Sequence, residues 1–193
     1  MRIAIFLFEG AEELDWAGPW EVLASWAQQW PEDGIEVYTV ADSTGPVTCA
    51  KGLRVLPDHS RESAPTPDVL LYPGGTATRE HLDGRYREWL QDLAAAGTLM
   101  TSVCTGSLVF ADAGLLDGRP ATTHWSALDL LADLGDGVEV RPDDRFVDSG
   151  NIVTAAGVSA GIDMALHLVV RLHGPERARQ VRRYIQYDPA PPV

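Results

Sequence analysis

Cys104 ends the apolar run Met100-Thr101-Ser102-Val103 and is followed by Thr105-Gly106-Ser107 and then Leu108-Val109-Phe110. That pattern reads as a strand running into a helix through a sharp turn with a cysteine at its apex. A side chain at such an elbow is held out from the sheet. It also lies beside a helix N-terminus, where unpaired N–H groups and the dipole favour an anion. A thiol in that position is expected to ionise more easily than free cysteine, and the thiolate is the reactive form. Gly106 lets backbones pack closely at the turn. An inert buried cysteine would leave the same local pattern.

Three further segments carry chemistry-bearing residues. Pro73-Gly74-Gly75 closes another expected strand. Its glycine N–H groups could be aimed at a developing negative charge, or could form a plain turn. The segment Glu9–Pro19 lies between the first strand and the first helix and is expected as a loop holding acids, Asp15 among them. An acid there could exchange a proton with the thiol; solvated loop acids are the alternative. His124, in Thr122-Thr123-His124-Trp125, could serve as a base, cap the following helix or face solvent. Trp16, Trp20 and Trp125 could wall an apolar site or be ordinary core. The histidines at His59, His81, His167 and His173 lack paired ligand spacing, and no H-x-x-x-H or C-x-x-C occurs. No metal site is therefore expected. No G-x-G-x-x-G or Walker-type sequence is present, so no nucleotide cofactor is expected either.

These residues must be positioned by alternating elements. Residues 2–8 read as a buried strand. Pro19 stands at a plausible first helical position, with Val22, Leu23, Trp26 and Ala27 as the apolar stripe behind it. Strands are expected at 35–40, 68–72 and 99–103. Helices are expected at 86–96, stopped by Gly97, and from the elbow to about Ala113. Trp125, Leu128 and Leu131 mark another helix. Residues 146–154 read as a hairpin turning at Ser149-Gly150-Asn151. Ile162, Ala165, Leu166 and Val169 belong to a helix ending near Gly174. Such alternation implies an α/β fold, a mostly parallel sheet flanked by helices on both faces. Ligands in these folds sit beyond the carboxyl ends of the strands. The whole chain, 1–193, is expected to form one domain, with Pro189–Val193 as an extended tail.

Composition narrows the partners. The 193 residues carry 15 basic and 28 acidic side chains, a formal charge of −13, with 45% hydrophobic residues. A chain this acidic repels polyanions, so neither nucleic acid nor an anionic membrane surface is an expected partner. Arg177, Arg179, Arg182 and Arg183 form the one basic cluster, read as the exposed face of a late helix. No apolar stretch reaches the length of a membrane span, and the N-terminus lacks a signal-peptide cleavage site. Two cysteines, Cys49 and Cys104, are too few for a disulfide framework. A cytoplasmic location with reduced thiols is expected.

Taken in order, several segments together resemble the ThiJ/PfpI superfamily. They are Gly10–Asp15, Tyr72–Gly75, Ser102–Ser107, Ala113–Leu116, Ala121–Trp125, Ala156–Asp163 and Tyr187–Pro192. The superfamily shares the class I glutamine-amidotransferase-like fold, a flavodoxin-like sandwich. Within it, Leu14-Asp15, the Val-Cys-Thr-Gly-Ser elbow and Thr-Thr-His-Trp are similar to the isocyanide hydratase branch. The resemblance implies a Cys104 nucleophile, Asp15 as its carboxyl partner and Thr105 positioning the substrate. It implies further that Gly74, Gly75, Trp16 and His124 line the site. It implies a small-molecule substrate, no cofactor and a homodimer. The same pattern occurs in sensor domains of AraC-type regulators, which continue into a DNA-binding module that this chain ends before reaching. PfpI-type peptidases place a histidine directly after the cysteine. Thr105 occupies that place here, so a Cys–His dyad of that kind is missing. Ala17 stands where familiar isocyanide hydratases have threonine, and their C-terminal helical extension is lacking.

A thiolate about 4 Å from an ionised carboxylate meets roughly 4 kcal/mol of repulsion at an effective dielectric near 20. A helix N-terminus returns only about 0.3–2 kcal/mol. Cys104 and Asp15 are therefore expected to share one proton and titrate as a unit. The implied reaction is hydration of a small electrophile, an isocyanide to an N-substituted formamide. Redox sensing or small-molecule binding, and glyoxalase-type hydration of methylglyoxal, are the alternatives.

Overall fold

The apolar runs that read as strands are buried along almost their whole length, because each lies between strand neighbours and under helices. The computed structural model describes residues 1–189. In chain order it contains β1 (Arg2–Phe6), α1 (Glu13–Gln29), β2 (Glu36–Ala41), β3 (Val47–Thr48), β4 (Arg54–Val55), β5 (His59–Ser60), β6 (Val69–Tyr72), α2 (Arg87–Ala95), β7 (Leu99–Val103) and α3 (Gly106–Asp112). There follow β8 (Pro120–Ala121), α4 (Leu128–Leu134), β9 (Glu139–Val140), β10 (Phe146–Asp148), β11 (Ile152–Ala155), α5 (Ala160–His173) and α6 (Pro175–Tyr184). Short 3₁₀ turns occupy Pro31–Asp33, Thr78–Asp83 and Trp125–Ala127. Most of the Pro-rich tail, residues 190–193, lies outside the described residues.

The main sheet has seven strands in the order β10-β11-β7-β6-β1-β2-β5. Every pairing is parallel except β10 with β11, the expected hairpin. Helices α1, α5 and α6 pack together as one layer, and α2, α3 and α4 form the other group. Parallel pairing points the carboxyl ends of β1, β6, β7 and β11 the same way. The loops that follow them bring Gly10–Asp15, Gly74-Gly75, Cys104 and Ala156–Val158 to one place.

Three expectations are corrected here. Pro19 is not the first residue of its helix; α1 begins six residues earlier, and the proline lies inside it. Glu13 and Asp15 are therefore in the first helical turn, not in a loop. The turn is held by tertiary contacts that no local pattern reveals: Glu12 N–H donates to Gly74 O (2.9 Å) and Ala11 bridges Gly75. The proline ring finds room because α5 presents Gly161 to it, where a Cβ would lie 3.1 Å from Pro19 Cγ. Trp125 begins a 3₁₀ turn instead of the helix proper and is 77% exposed, so it is not core. Arg177 leaves the exposed basic face of α6: its side chain is 13% exposed and reaches Asp33, itself 4% exposed.

The Asp33 carboxylate accepts from Arg177 Nε (2.7 Å) and from Trp26 Nε1 (2.6 Å), and His173 Nε2 lies 3.0 Å away. Burial alone would raise its pKa, but the Arg177 and Trp26 donors hold it below its ordinary value. The cluster ties α1, α5 and α6 together at the end of the sheet away from Cys104. Breaking a buried pair from one side leaves a desolvated charge, which costs about 3–5 kcal/mol. Arg177→Met is therefore expected to lower unfolding free energy by roughly 3 kcal/mol, read from urea denaturation, with the two remaining donors placing it at the low end of that range.

Candidate active site

Cys104 is set between β7 and α3 with φ 58°, a left-handed conformation uncommon for a residue with a side chain. The strain is held by its own backbone. Its N–H donates to the Ala155 and Ala156 carbonyls (3.1 and 3.0 Å). Its carbonyl accepts from Thr123 Oγ1 (2.9 Å) and Ser107 Oγ (3.2 Å). Gly106 is required by packing: a Cβ there would overlap the Tyr72 carbonyl oxygen and lie 2.9 Å from that of Pro73. Gly106→Ala is expected to cost about 1–3 kcal/mol of stability, as overpacking against rigid backbone does. The same change should move the elbow off its geometry, so calorimetry and activity should fall together.

Asp15 is completely buried in the first turn of α1. Its Oδ2 accepts from Gly74 N–H at 2.9 Å. Its Oδ1 is sealed from solvent with no hydrogen-bond partner among the described residues, and the Cys104 thiol is a neighbour of the carboxyl. Burial first, and the negative charge of Glu12 second, push the Asp15 carboxyl up to about 7. Burial and the Asp15 charge push the Cys104 thiol up as well, to about 12. The expectation that the elbow would make this thiol easier to ionise is thus overturned. Helix α3 has only seven residues. The two N–H groups that face the sulfur, of Thr105 and Val158, do not offset loss of water and the neighbouring carboxyl. Between those two values the pair holds a single proton, which belongs to the pair and not to either residue.

A closed ring of hydrogen bonds backs the elbow. Gly75 N–H donates to Thr105 Oγ1 (3.2 Å), Thr105 to Thr78 Oγ1 (3.0 Å) and Thr78 to the Gly75 carbonyl (2.9 Å). Each hydroxyl proton is spent within the ring. Thr105 therefore braces the elbow against the Gly74-Gly75 turn, and the N–H groups of both glycines already have partners. Lys51 closes the rim by pairing with Glu12 and Glu13. Among the described residues no three His, Cys, Asp or Glu side chains are placed to hold a metal ion, and no helix is long and apolar enough to cross a membrane.

A carboxyl sealed beside a cysteine at a strained strand-to-helix elbow is a specific arrangement, and the DJ-1/PfpI family model matches residues 1–171. The chain belongs to the DJ-1/PfpI family. It is 40% identical over all 193 residues to isonitrile hydratase of Pseudomonas putida, covering 81% of that protein. It is 33% identical over 155 residues, 80% of the chain, to the HTH-type transcriptional regulator CdhR of Pseudomonas aeruginosa, of which it covers only 46%. A ThiJ/PfpI family protein from Pseudomonas syringae superposes with a TM-score of 0.88 at 34% identity, over all of this chain and 77% of that one.

The remaining residues expected at the site have contacts of their own. Trp16 follows Asp15 on a helix, so the two side chains diverge by about 100°. Its buried indole N–H turns towards the Cys49 sulfur instead. Trp20 lies beside Tyr184, near α6. His124 packs its ring on Gly157, where a Cβ would strike it, and its Nδ1 lies 2.8 Å from Ser126 Oγ. It supports the turn that carries Val158. Thr78, Thr123 and Val158 escape sequence reading. Val158 has φ 49°, which a β-branched residue resists, so its propensity pointed away from its actual role.

Proposed function

We propose that this protein hydrates isocyanides to N-substituted formamides at the Cys104–Asp15 pair. The observation that carries the reading is the wholly buried Asp15 carboxyl beside the Cys104 thiol, one oxygen seated by Gly74 and the other without a hydrogen-bond partner among the described residues. The relationship to isonitrile hydratase supports it. An isocyanide carbon takes both a nucleophile and a proton, so one thiol and one acid suffice. In the singly protonated pair the sulfur attacks the terminal carbon while the proton passes to that same carbon. The product is a thioimidate, and Asp15 is left ionised. Water then adds across the C=N bond, oxygen to carbon and hydrogen to nitrogen. Collapse breaks the C–S bond, the hydroxyl proton returns to Asp15 and the formamide leaves. The N–H groups of Thr105 and Val158 face the sulfur where it is negative.

The proton count sets a pH profile. Below about 7 both groups are protonated and the sulfur is a thiol without a base. kcat/KM for a simple alkyl isocyanide, followed by formamide release, is expected to rise about tenfold per pH unit up to that value and then level. A flat profile from pH 5 to 9 would remove the coupled-proton mechanism. Methylglyoxal assayed in parallel for lactate separates this reading from glyoxalase chemistry.

A further inference from the structure

A second cavity, of about 220 Å³, opens past the carboxyl ends of β1 and β2, against the 3₁₀ turn Thr78–Asp83. None of the residues placed around Cys104 lines it. Its wall includes His81, which is only 5% exposed. His81 Nδ1 lies 2.8 Å from the hydroxyl of Tyr72, a wholly buried residue. Among the described residues that hydroxyl has no other partner, so it donates to Nδ1, since a buried O–H is not left unmade. The imidazole is then neutral and carries its hydrogen on Nε2. Burial, and after it the Arg85 charge, lower the His81 pKa and favour the same neutral form. Among the described residues no group accepts from Nε2–H. It remains an unused donor on a cavity wall.

The other charges around this space are mostly acidic. Glu9, Asp42 and Glu80 line it, while the Arg85 guanidinium is held by Asp83. Asp42 is already engaged by Arg61 and Tyr86. Glu80 has no ion-pair partner among the described residues, and Glu9 accepts only the Thr48 N–H. A complementary ligand needs an acceptor for His81 and a positive charge for the two free carboxylates. The volume is below the roughly 300–1,000 Å³ of drug-sized sites, which limits it to a few heavy atoms. We propose that this cavity binds a small primary amine carrying a hydroxyl or carbonyl oxygen, the oxygen on His81 Nε2–H and the ammonium between Glu9 and Glu80.

The test is a titration with ethanolamine, followed by amide NMR shifts and calorimetry. Ethylene glycol, acetate and potassium chloride at matched ionic strength serve as controls. Saturable binding is expected, with shifts centred on residues 7–9, 41–47 and 77–86. Glu80→Gln, an exposed change that leaves the fold intact, is expected to weaken it about tenfold, as loss of one charge-assisted hydrogen bond does. His81→Phe is expected to abolish it. Cys104→Ala is expected to bind as the unaltered protein does, which separates this cavity from the site proposed above. Absence of saturation, equal shifts from potassium chloride, or unchanged affinity in Glu80→Gln would each overturn the assignment.

Discussion

Cys104→Ala is expected to end isocyanide turnover, with a loss on the order of 10⁴-fold or more, as removal of a nucleophile that acts as a unit with its proton partner does. The loss should fall on kcat. Alanine keeps the backbone at φ 58°, so the hydrogen bonds to the Ala155 and Ala156 carbonyls and from the Thr123 and Ser107 hydroxyls persist and the site keeps its shape. Cys104→Gly tests a second consequence of that angle. A side chain held in the left-handed region costs about 1–3 kcal/mol. Glycine adopts the region freely, so Cys104→Gly is expected to be just as inactive yet to melt no lower than Cys104→Ala. Strain stored at an elbow for chemistry is the physical reason. A glycine variant clearly less stable than the alanine one would show that the elbow is relaxed. Retained turnover in either variant would remove the nucleophile assignment. If both the parent protein and its variants lack turnover while peroxide adds oxygen at Cys104 alone, the redox reading gains.

The sheet was readable from sequence because it rests on long apolar runs. Val69–Tyr72 and Leu99–Val103 are buried at every position, and such runs signal parallel strands whatever surrounds them. The start of α1 was not readable for the opposite reason. A proline six residues into a helix argues locally for a start at that point, and only Gly74, Gly75 and the glycine of α5 opposite Pro19 reverse that. The same limit applies at the site. Cys104 stands out as a single thiol between a strand and small residues. Its acidity does not, because desolvation and a neighbouring carboxyl are tertiary facts. Residue type alone carries no direction for Trp16 and Trp125: in the fold one lies beside Cys49 and the other is exposed. Thr78 and Thr123 are ordinary hydroxyls until the fold brings them to Thr105 and to the Cys104 carbonyl.

Asp15→Asn should separate activity from stability. Burial pushes the folded carboxyl up to about 7, against an ordinary value of 3.8. A raised folded value means that the folded state binds this proton more tightly than the unfolded chain. The resulting stability is fully present below the unfolded value and is lost as pH rises towards about 7. A shift of that size corresponds to about 4 kcal/mol, the cost of holding an ionised Asp15 in a sealed pocket at neutral pH. Asparagine is nearly isosteric and never ionises. Its amide oxygen can still accept from Gly74 N–H, and its NH₂ group faces the Cys104 sulfur. The variant is therefore expected to match the parent near pH 4 and to exceed it by about 2–4 kcal/mol near pH 8, read as urea midpoints at both pH values. Other carboxylates titrate too, but identically in both proteins, so the difference isolates position 15. Isocyanide turnover should fall by about 10²–10⁴-fold in the same variant, the usual worth of a positioned acid–base group. A protein gaining stability as it loses activity is what a carboxyl buried for chemistry predicts. A stability difference that does not change with pH would show that Asp15 carries no displaced proton, and the shared-proton mechanism would fall with it.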